Sequence, residues 1–142
     1  MKEYGATLLR LMVGITCLMH AYVVFFVFTP AAWARFARSS GVPLPEVLVW
    51  YVLLAHALGG IALILGLWTR WAALANAVVM LGARWFVYLR TGFFLKGILI
   101  DATKGTVARA GYEFALLLFV ATIALVLLGG GALAITRDEV PQ

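Results

Sequence analysis

The sequence predicts an all-α integral membrane protein: a four-helix bundle with short interfacial helices in its first and third connections. Composition is the first observation, because 65% of the 142 residues are hydrophobic and only 12% are charged. In a soluble domain, roughly half of the residues are hydrophobic and roughly a quarter are charged. So small a chain cannot bury that much apolar surface, and its exterior must therefore be apolar as well. The second observation is that the apolar residues fall into four long runs.

Each run approaches the roughly 20 residues that a helix needs to cross a bilayer. The predicted spans are residues 4–28, 46–68, 72–88 and 111–128. Helix-breaking residues lie at their ends, among them Pro30 and Gly129. We therefore predict a single transmembrane domain over residues 1–142.

Two connections between the spans are long enough to have structure of their own. Residues 31–42 combine Trp33 with Arg38, a pattern typical of an amphipathic helix lying in the membrane interface. Residues 91–110 mix apolar positions with charges such as Lys96 and are expected to lie in the interface too. We call the membrane side that bears these two connections the loop face. Its larger number of basic residues favours a cytoplasmic location.

The charge distribution excludes two classes of function. The net charge is +5, but the eleven basic residues lie mostly between apolar runs, where they can pair with anionic lipid head groups rather than nucleic acid. The sequence also lacks a nucleophile-and-base pairing, a phosphate-binding glycine loop and a metal-spaced cluster. An enzyme acting on its own is therefore not expected, whereas a subunit of a membrane oxidoreductase is compatible with the sequence.

Four ionisable residues stand out within the apolar runs, one chosen from each predicted span: His20, His56, Arg84 and Glu113. Counted at 1.5 Å per helical residue, they lie ~12, ~15, ~6 and ~3 Å below the loop face. All four fall in one half of the bilayer, and the two histidines fall nearly level. Ionisable groups are costly at membrane depth, so we predict that these four share a pocket and bind a cofactor.

Helical phase supports an inward position for two of these side chains. His56 shares a helix face with Gly59 and Gly60, and small residues let helix backbones approach closely. Arg84 falls on the small-residue face of span three. Structural interpretations stay open for all four: the histidines can hydrogen-bond between helices, Arg84 can reach head groups, and Glu113 suits a helix N-terminus.

Four further residues receive structural interpretations only. Arg10 and Arg90 are expected to anchor the chain at the membrane interface. Asn76 is expected to hydrogen-bond between helices. Cys17, the one cysteine, is expected to pack as a small hydrophobic residue.

Several short motifs resemble the DoxX family of small four-span bacterial membrane proteins. In chain order they are Leu9-Arg10-Leu11, His20, Gly59-Gly60, Leu65-Gly66-Leu67-Trp68-Thr69-Arg70, Gly111-Tyr112-Glu113-Phe114, and Gly129-Gly130-Gly131 before Asp138. Their order and spacing carry the resemblance over nearly the whole chain. It implies a multi-pass protein of the bacterial inner (plasma) membrane that is a subunit or partner of a quinone-linked redox system.

Two departures from the family pattern concern the predicted site. The pattern has a glutamate three residues before the paired glycines, where this chain has His56. The pattern often continues from the histidine of span one to glycine and lysine, where Ala21 and Val24 stand here. A family role is therefore not transferred to His56, whereas His20 and Glu113 match the pattern.

We predict a small membrane subunit of a respiratory or other redox complex, presenting a quinone-binding or electron-transfer docking site within the bundle. The cofactor-binding residues would be His20, His56, Arg84 and Glu113. In a minor variant, His20 and His56 are the axial ligands of a haem b. Two alternatives come from other classes: a structural membrane partner that stabilises a larger complex, and a small-solute transporter, which would need a homo-oligomer.

Overall fold

The computed structural model describes residues 1–89, 92–94 and 111–136, and these ranges contain helices and no strand. The helices are α1 (Lys2–Tyr22, continued by the π-helical segment Val23–Val27), α2 (Pro30–Ser39), α3 (Pro45–Leu65), α4 (Thr69–Gly82, continued by the π-helical segment Ala83–Tyr88) and α5 (Glu113–Leu128). Three of them, with their π-helical continuations, are long and apolar enough to cross a membrane: Lys2–Val27, Pro45–Leu65 and Thr69–Tyr88. The helix α5 is shorter, with 16 residues. Arg90 and most of the predicted interfacial segment 91–110 lie outside the described residues.

The turn between α3 and α4 lies three residues earlier than the sequence predicts. Gly66 ends α3 in the left-handed conformation, with φ at 72°, and α4 already begins at Thr69. Glycine takes this conformation without a steric penalty and commonly terminates helices. The predicted boundary at residue 68 followed apolar character, which continues through Leu67 and Trp68 although the helix does not.

One buried cluster takes side chains from all four long helices. It consists of Val13 and Cys17 from α1, Leu63 from α3, Ala73 from α4 and Leu125 from α5. The outward positions of these helices carry exposed leucines, such as Leu54, Leu58 and Leu127. A large apolar exterior of this kind is what a lipid-embedded protein presents. The predicted packing role of Cys17 is confirmed by its complete burial.

A close backbone approach joins α1 to α3 at two facing glycines. A Cβ atom built on Gly14 would lie 2.9 Å from the carbonyl oxygen of Gly60, and one built on Gly60 would lie 3.0 Å from that of Gly14. Neither position has room for a larger side chain. This confirms the prediction that the glycines of span two serve close helix packing.

The connection between α1 and α3 contains the predicted short helix. Thr29 caps α2, its hydroxyl accepting a hydrogen bond from the backbone N–H of Ala32, and proline follows at the first helical position. Ala37 is buried on the inner side of α2. On the outer side, Arg38 forms an ion pair with Glu46 at the start of α3. The helix α2 therefore packs across the loop-face end of α1 and α3.

The opposite end of the molecule is closed by residues 129–136 and by Arg10. The Arg10 side chain is 1% exposed, and its Nη1 donates to the carbonyl oxygens of Leu63 at 2.5 Å and Ile64 at 2.8 Å. Its Nη2 donates to that of Leu133 at 3.3 Å. The prediction that Arg10 anchors the chain to head groups is thus wrong: the guanidinium caps carbonyls in the last turn of α3.

Candidate functional site

A cavity of about 800 Å³ lies at the loop-face end of the molecule. All five helices contribute to its wall, which is mainly apolar. The lining residues include Val24, Trp33, Phe36, Val52, Val79, Met80, Val87, Tyr88, Phe114 and Leu118, together with His20, His56 and Glu113. The cavity therefore combines a large apolar surface with a small number of polar groups, which is typical of a site for a small organic ligand.

His56 is held in the wall of this cavity by a residue of the neighbouring helix. Its side chain is 4% exposed, and its Nδ1 lies 2.7 Å from Oδ1 of Asn76 on α4. The amide nitrogen of Asn76 donates to the carbonyl oxygens of Ala55 and Ala72, both at 2.9 Å. The prediction that Asn76 hydrogen-bonds between helices is confirmed. Because two carbonyls hold the Asn76 amide, its hydrogen bond to Nδ1 fixes the orientation of the His56 imidazole.

His20 lies beside His56, across the contact between α1 and α3. The centroids of the two imidazole rings are 5.9 Å apart, and the planes are tilted by 48°. Nδ1 of His20 is 2.9 Å from the carbonyl oxygen of Thr16, one turn earlier in the same helix. The centroid of the Phe114 ring on α5 lies 6.1 Å from that of the His20 ring. The two histidines that the sequence places level in the membrane are thus neighbours.

The two remaining predicted residues differ in their position. Glu113 lies in the first turn of α5 and lines the cavity. Arg84 is not among the lining residues; its guanidinium carbon stacks 4.9 Å above the centroid of the Tyr112 ring. The structure therefore brings His20, His56 and Glu113 to one cavity and places Arg84 beside it.

Two features of the site have no counterpart in the sequence prediction. One is the pairing of Asn76 with His56, which lies 20 residues away on another helix. The other is the contribution of α2, whose Trp33 and Phe36 line the cavity. The amphipathic pattern of α2 indicated its inner face, but not what that face covers.

The family model described as DoxX matches residues 5–89, which is more than half of the sequence. This chain belongs to the DoxX family. With its long apolar helices, it is a small multi-pass membrane protein. The DoxX match includes His20, His56 and Arg84, whereas Glu113 lies beyond it. No curated protein and no solved structure matches the chain.

Proposed function

We propose that this DoxX protein is a small integral membrane subunit of a respiratory or other redox complex, and that its cavity receives a quinone-class head group. The observation that carries the proposal is the pair of neighbouring histidines in the wall of a large apolar cavity. A quinone head group has apolar faces and two polar oxygen atoms. A wall with this distribution of apolar and polar groups matches both features.

The polar residues supply the groups that quinone chemistry needs. Exchange between quinone and hydroquinone transfers two electrons and two protons, and imidazole transfers protons near neutral pH. His20 and His56 would bind an oxygen of the head group and exchange its proton. Glu113, in the first turn of α5, would pass that proton toward the loop face. Arg84 lies beside the cavity. It would act indirectly, by holding in place the Tyr112 ring on which its guanidinium stacks.

The histidine variants His20→Ala and His56→Ala test this function directly. Binding to the purified protein in lipid nanodiscs is measured for a short-chain benzoquinone and for its hydroquinone. The affinity of the more tightly bound redox form is expected to weaken at least tenfold in each variant, about one lost hydrogen bond. Thr122→Val is the matched control, because the Thr122 hydroxyl is buried but bonds only to carbonyls of its own helix. An affinity that is unchanged for both redox forms in both histidine variants would contradict the proposal.

A fourth membrane crossing by α5 and an interfacial position of α2 belong to the same proposal. The backbone N–H of Ala132, beyond α5, lies 3.3 Å from the carbonyl oxygen of Glu3 at the start of α1. The ends of α1 and α5 are thus adjacent, and three crossings alone would leave them on opposite sides of the membrane. The amphipathic α2, with paired charges outward, suits the interface.

Single cysteines report this topology. In a Cys17→Ala background, we would introduce Lys2→Cys, Ser39→Cys and Leu133→Cys one at a time and label whole bacterial cells with a membrane-impermeant maleimide. Lys2→Cys and Leu133→Cys are expected to react alike, and Ser39→Cys oppositely. Leu133→Cys reacting together with Ser39→Cys would mean that α5 does not cross.

Haem b is a second candidate ligand, favoured by the same two histidines. His20 and His56 would hold the haem iron through their imidazole nitrogens, and the haem would supply one-electron transfer. A Soret band in the purified protein that is lost in His20→Ala would support haem. Mass spectrometry of the natively purified protein identifies the partner: a stoichiometric redox enzyme is expected, whereas a non-redox partner would indicate a structural role.

A further inference from the structure

We propose that the cavity binds the reduced, hydroquinone form of its ligand more tightly than the oxidised, quinone form. The inference rests on the proposed function, because it presupposes a quinone-class head group in the cavity. It concerns which chemical groups the two histidines recognise. The hydrogen bonds around His20 and His56 favour a ligand that donates hydrogen bonds over one that only accepts them.

The amide of Asn76 determines which nitrogen of His56 carries a hydrogen atom. Its Nδ2 donates to two carbonyl oxygens, those of Ala55 and Ala72. The opposite orientation of the amide would place its oxygen against both of these oxygens, so the orientation is fixed. Oδ1, which can only accept, is therefore the atom that lies 2.7 Å from Nδ1 of His56. Nδ1 donates, and in the neutral ring Nε2 is an acceptor.

His20 has the same protonation pattern for a different reason. Its Nδ1 lies 2.9 Å from the carbonyl oxygen of Thr16, and a carbonyl oxygen can only accept. Nδ1 of His20 therefore donates, and Nε2 of the neutral ring is an acceptor. Both histidines line the cavity, with their ring centroids 5.9 Å apart. Two neighbouring rings in the wall thus each carry an Nε2 acceptor.

Protonation does not convert both histidines to donors at once. Two imidazolium charges with ring centroids 5.9 Å apart would repel each other strongly in apolar surroundings. At least one Nε2 therefore remains an acceptor.

The two redox forms of the ligand meet this wall differently. Quinone oxygens only accept hydrogen bonds, so an oxygen that faces an Nε2 acceptor leaves both atoms without a partner. A hydroquinone hydroxyl donates to the same Nε2. Where an oxygen of the head group faces a donor elsewhere in the wall, a hydroxyl accepts from it as readily as a carbonyl does. The preference thus arises at the histidines and amounts to about one hydrogen bond, or roughly tenfold in affinity.

This preference would also shift the redox equilibrium of the bound ligand. Tighter binding of the reduced form raises the midpoint potential of the bound couple above that of the free couple. For a two-electron couple, a tenfold preference corresponds to about 30 mV. A DoxX subunit of this kind would make its bound quinone easier to reduce by a partner enzyme.

The test compares the affinities of a decyl-substituted benzoquinone and its hydroquinone for the full-length protein in lipid nanodiscs. Both are titrated without oxygen and followed by tryptophan fluorescence, since Trp33 lines the cavity. The double variant His20→Leu/His56→Leu gives the background of partition into lipid. We expect the hydroquinone to bind at least about tenfold more tightly, the effect of one hydrogen bond. Equal affinities, or tighter binding of the quinone, would overturn the inference while leaving the proposed function intact.

Glutamine variants locate the origin of the preference. In His56→Gln and His20→Gln the carboxamide offers a donor as well as an acceptor, so the ratio of affinities is expected to fall below about threefold. Thr122→Val should keep the full ratio. A ratio that stays at tenfold in both glutamine variants would overturn the assignment to the histidines. If neither form of the ligand binds above the lipid background, the proposed function itself fails.

Discussion

Asn76 on α4 holds His56 on α3 through a 2.7 Å hydrogen bond, and the same amide donates to two backbone carbonyls. The side chain of Asn76 is completely buried. Replacing Asn76 with leucine leaves Nδ1 of His56 and the carbonyl oxygen of Ala55 without these partners. We expect Asn76→Leu to lower the free energy of unfolding by about 1–3 kcal/mol, measured by titration with a denaturing detergent.

The control for this measurement is Thr122→Val, on α5. The Thr122 hydroxyl is as deeply buried, but it bonds only to the carbonyls of Leu118 and Phe119 in its own helix. Its loss is expected to cost less than about 1 kcal/mol, because no contact between helices is broken. Equal losses in the two variants would show that the Asn76 bridge contributes nothing specific.

Gly59 leaves the space that the Asn76 side chain needs. A Cβ atom at this position would lie 2.6 Å from Nδ2 of Asn76. We expect Gly59→Ala to displace the amide and to destabilise the protein by about 1–3 kcal/mol, the usual cost of overpacking. Gly82→Ala is the control, since a Cβ there meets nothing within 4 Å, and alanine is the better helix former. A Tm of Gly59→Ala at or above that of Gly82→Ala would contradict this account.

The contact between α1 and α3 should be equally intolerant of a methyl group. In Gly14→Ala the new Cβ would lie 2.9 Å from a backbone oxygen of α3, which cannot move aside without the helix. We expect the two helices to move apart and the free energy of unfolding to fall by about 1–3 kcal/mol. Thermal melts in detergent measure this change. Gly5→Ala, on the same helix but with open space around it, should leave the Tm unchanged or raise it. The prediction fails if the two alanine variants melt together.

The helices and the level position of the histidines could be predicted because both follow from local pattern. Apolar run length indicates a helix long enough to span, and residue counting along such helices places His20 and His56 at one depth. The end of α3 was misplaced because Gly66 terminates the helix by its backbone conformation, while the apolar run continues. The sequence of a lipid-exposed helix indicates only weakly which face points inward, because the outer and inner faces are both apolar.

The network around the candidate site could not be predicted because it depends on contacts distant in the chain. The sequence marks Asn76 as polar within an apolar run, but not that it reaches His56. The predicted anchoring role of Arg10 at the membrane interface is wrong for a related reason. An arginine near a span end usually reaches head groups, whereas here three carbonyls from two distant segments surround it.

Arg10→Gln tests this interpretation of the buried guanidinium. Glutamine is too short to reach the carbonyl oxygens of Leu63, Ile64 and Leu133 together. We expect the free energy of unfolding to fall by about 1.5–3 kcal/mol, the contribution of a hydrogen bond to a charged group. We also expect faster proteolysis within residues 129–136. Arg84→Gln, which removes a guanidinium stacked on an aromatic ring, should leave the proteolysis of that segment unaltered. Identical digestion of Arg10→Gln and the unmodified protein would refute the anchoring role.

The contacts of Arg10 also join segments that are synthesised far apart in time. Arg10 lies on α1, whereas Leu133 lies 123 residues later, beyond α5. During translation the guanidinium therefore receives its hydrogen bond from Leu133 only after all five helices have been made. A chain that stops short of residue 133 lacks this acceptor for a buried cation. We expect cells to degrade such fragments even when every apolar helix has been inserted.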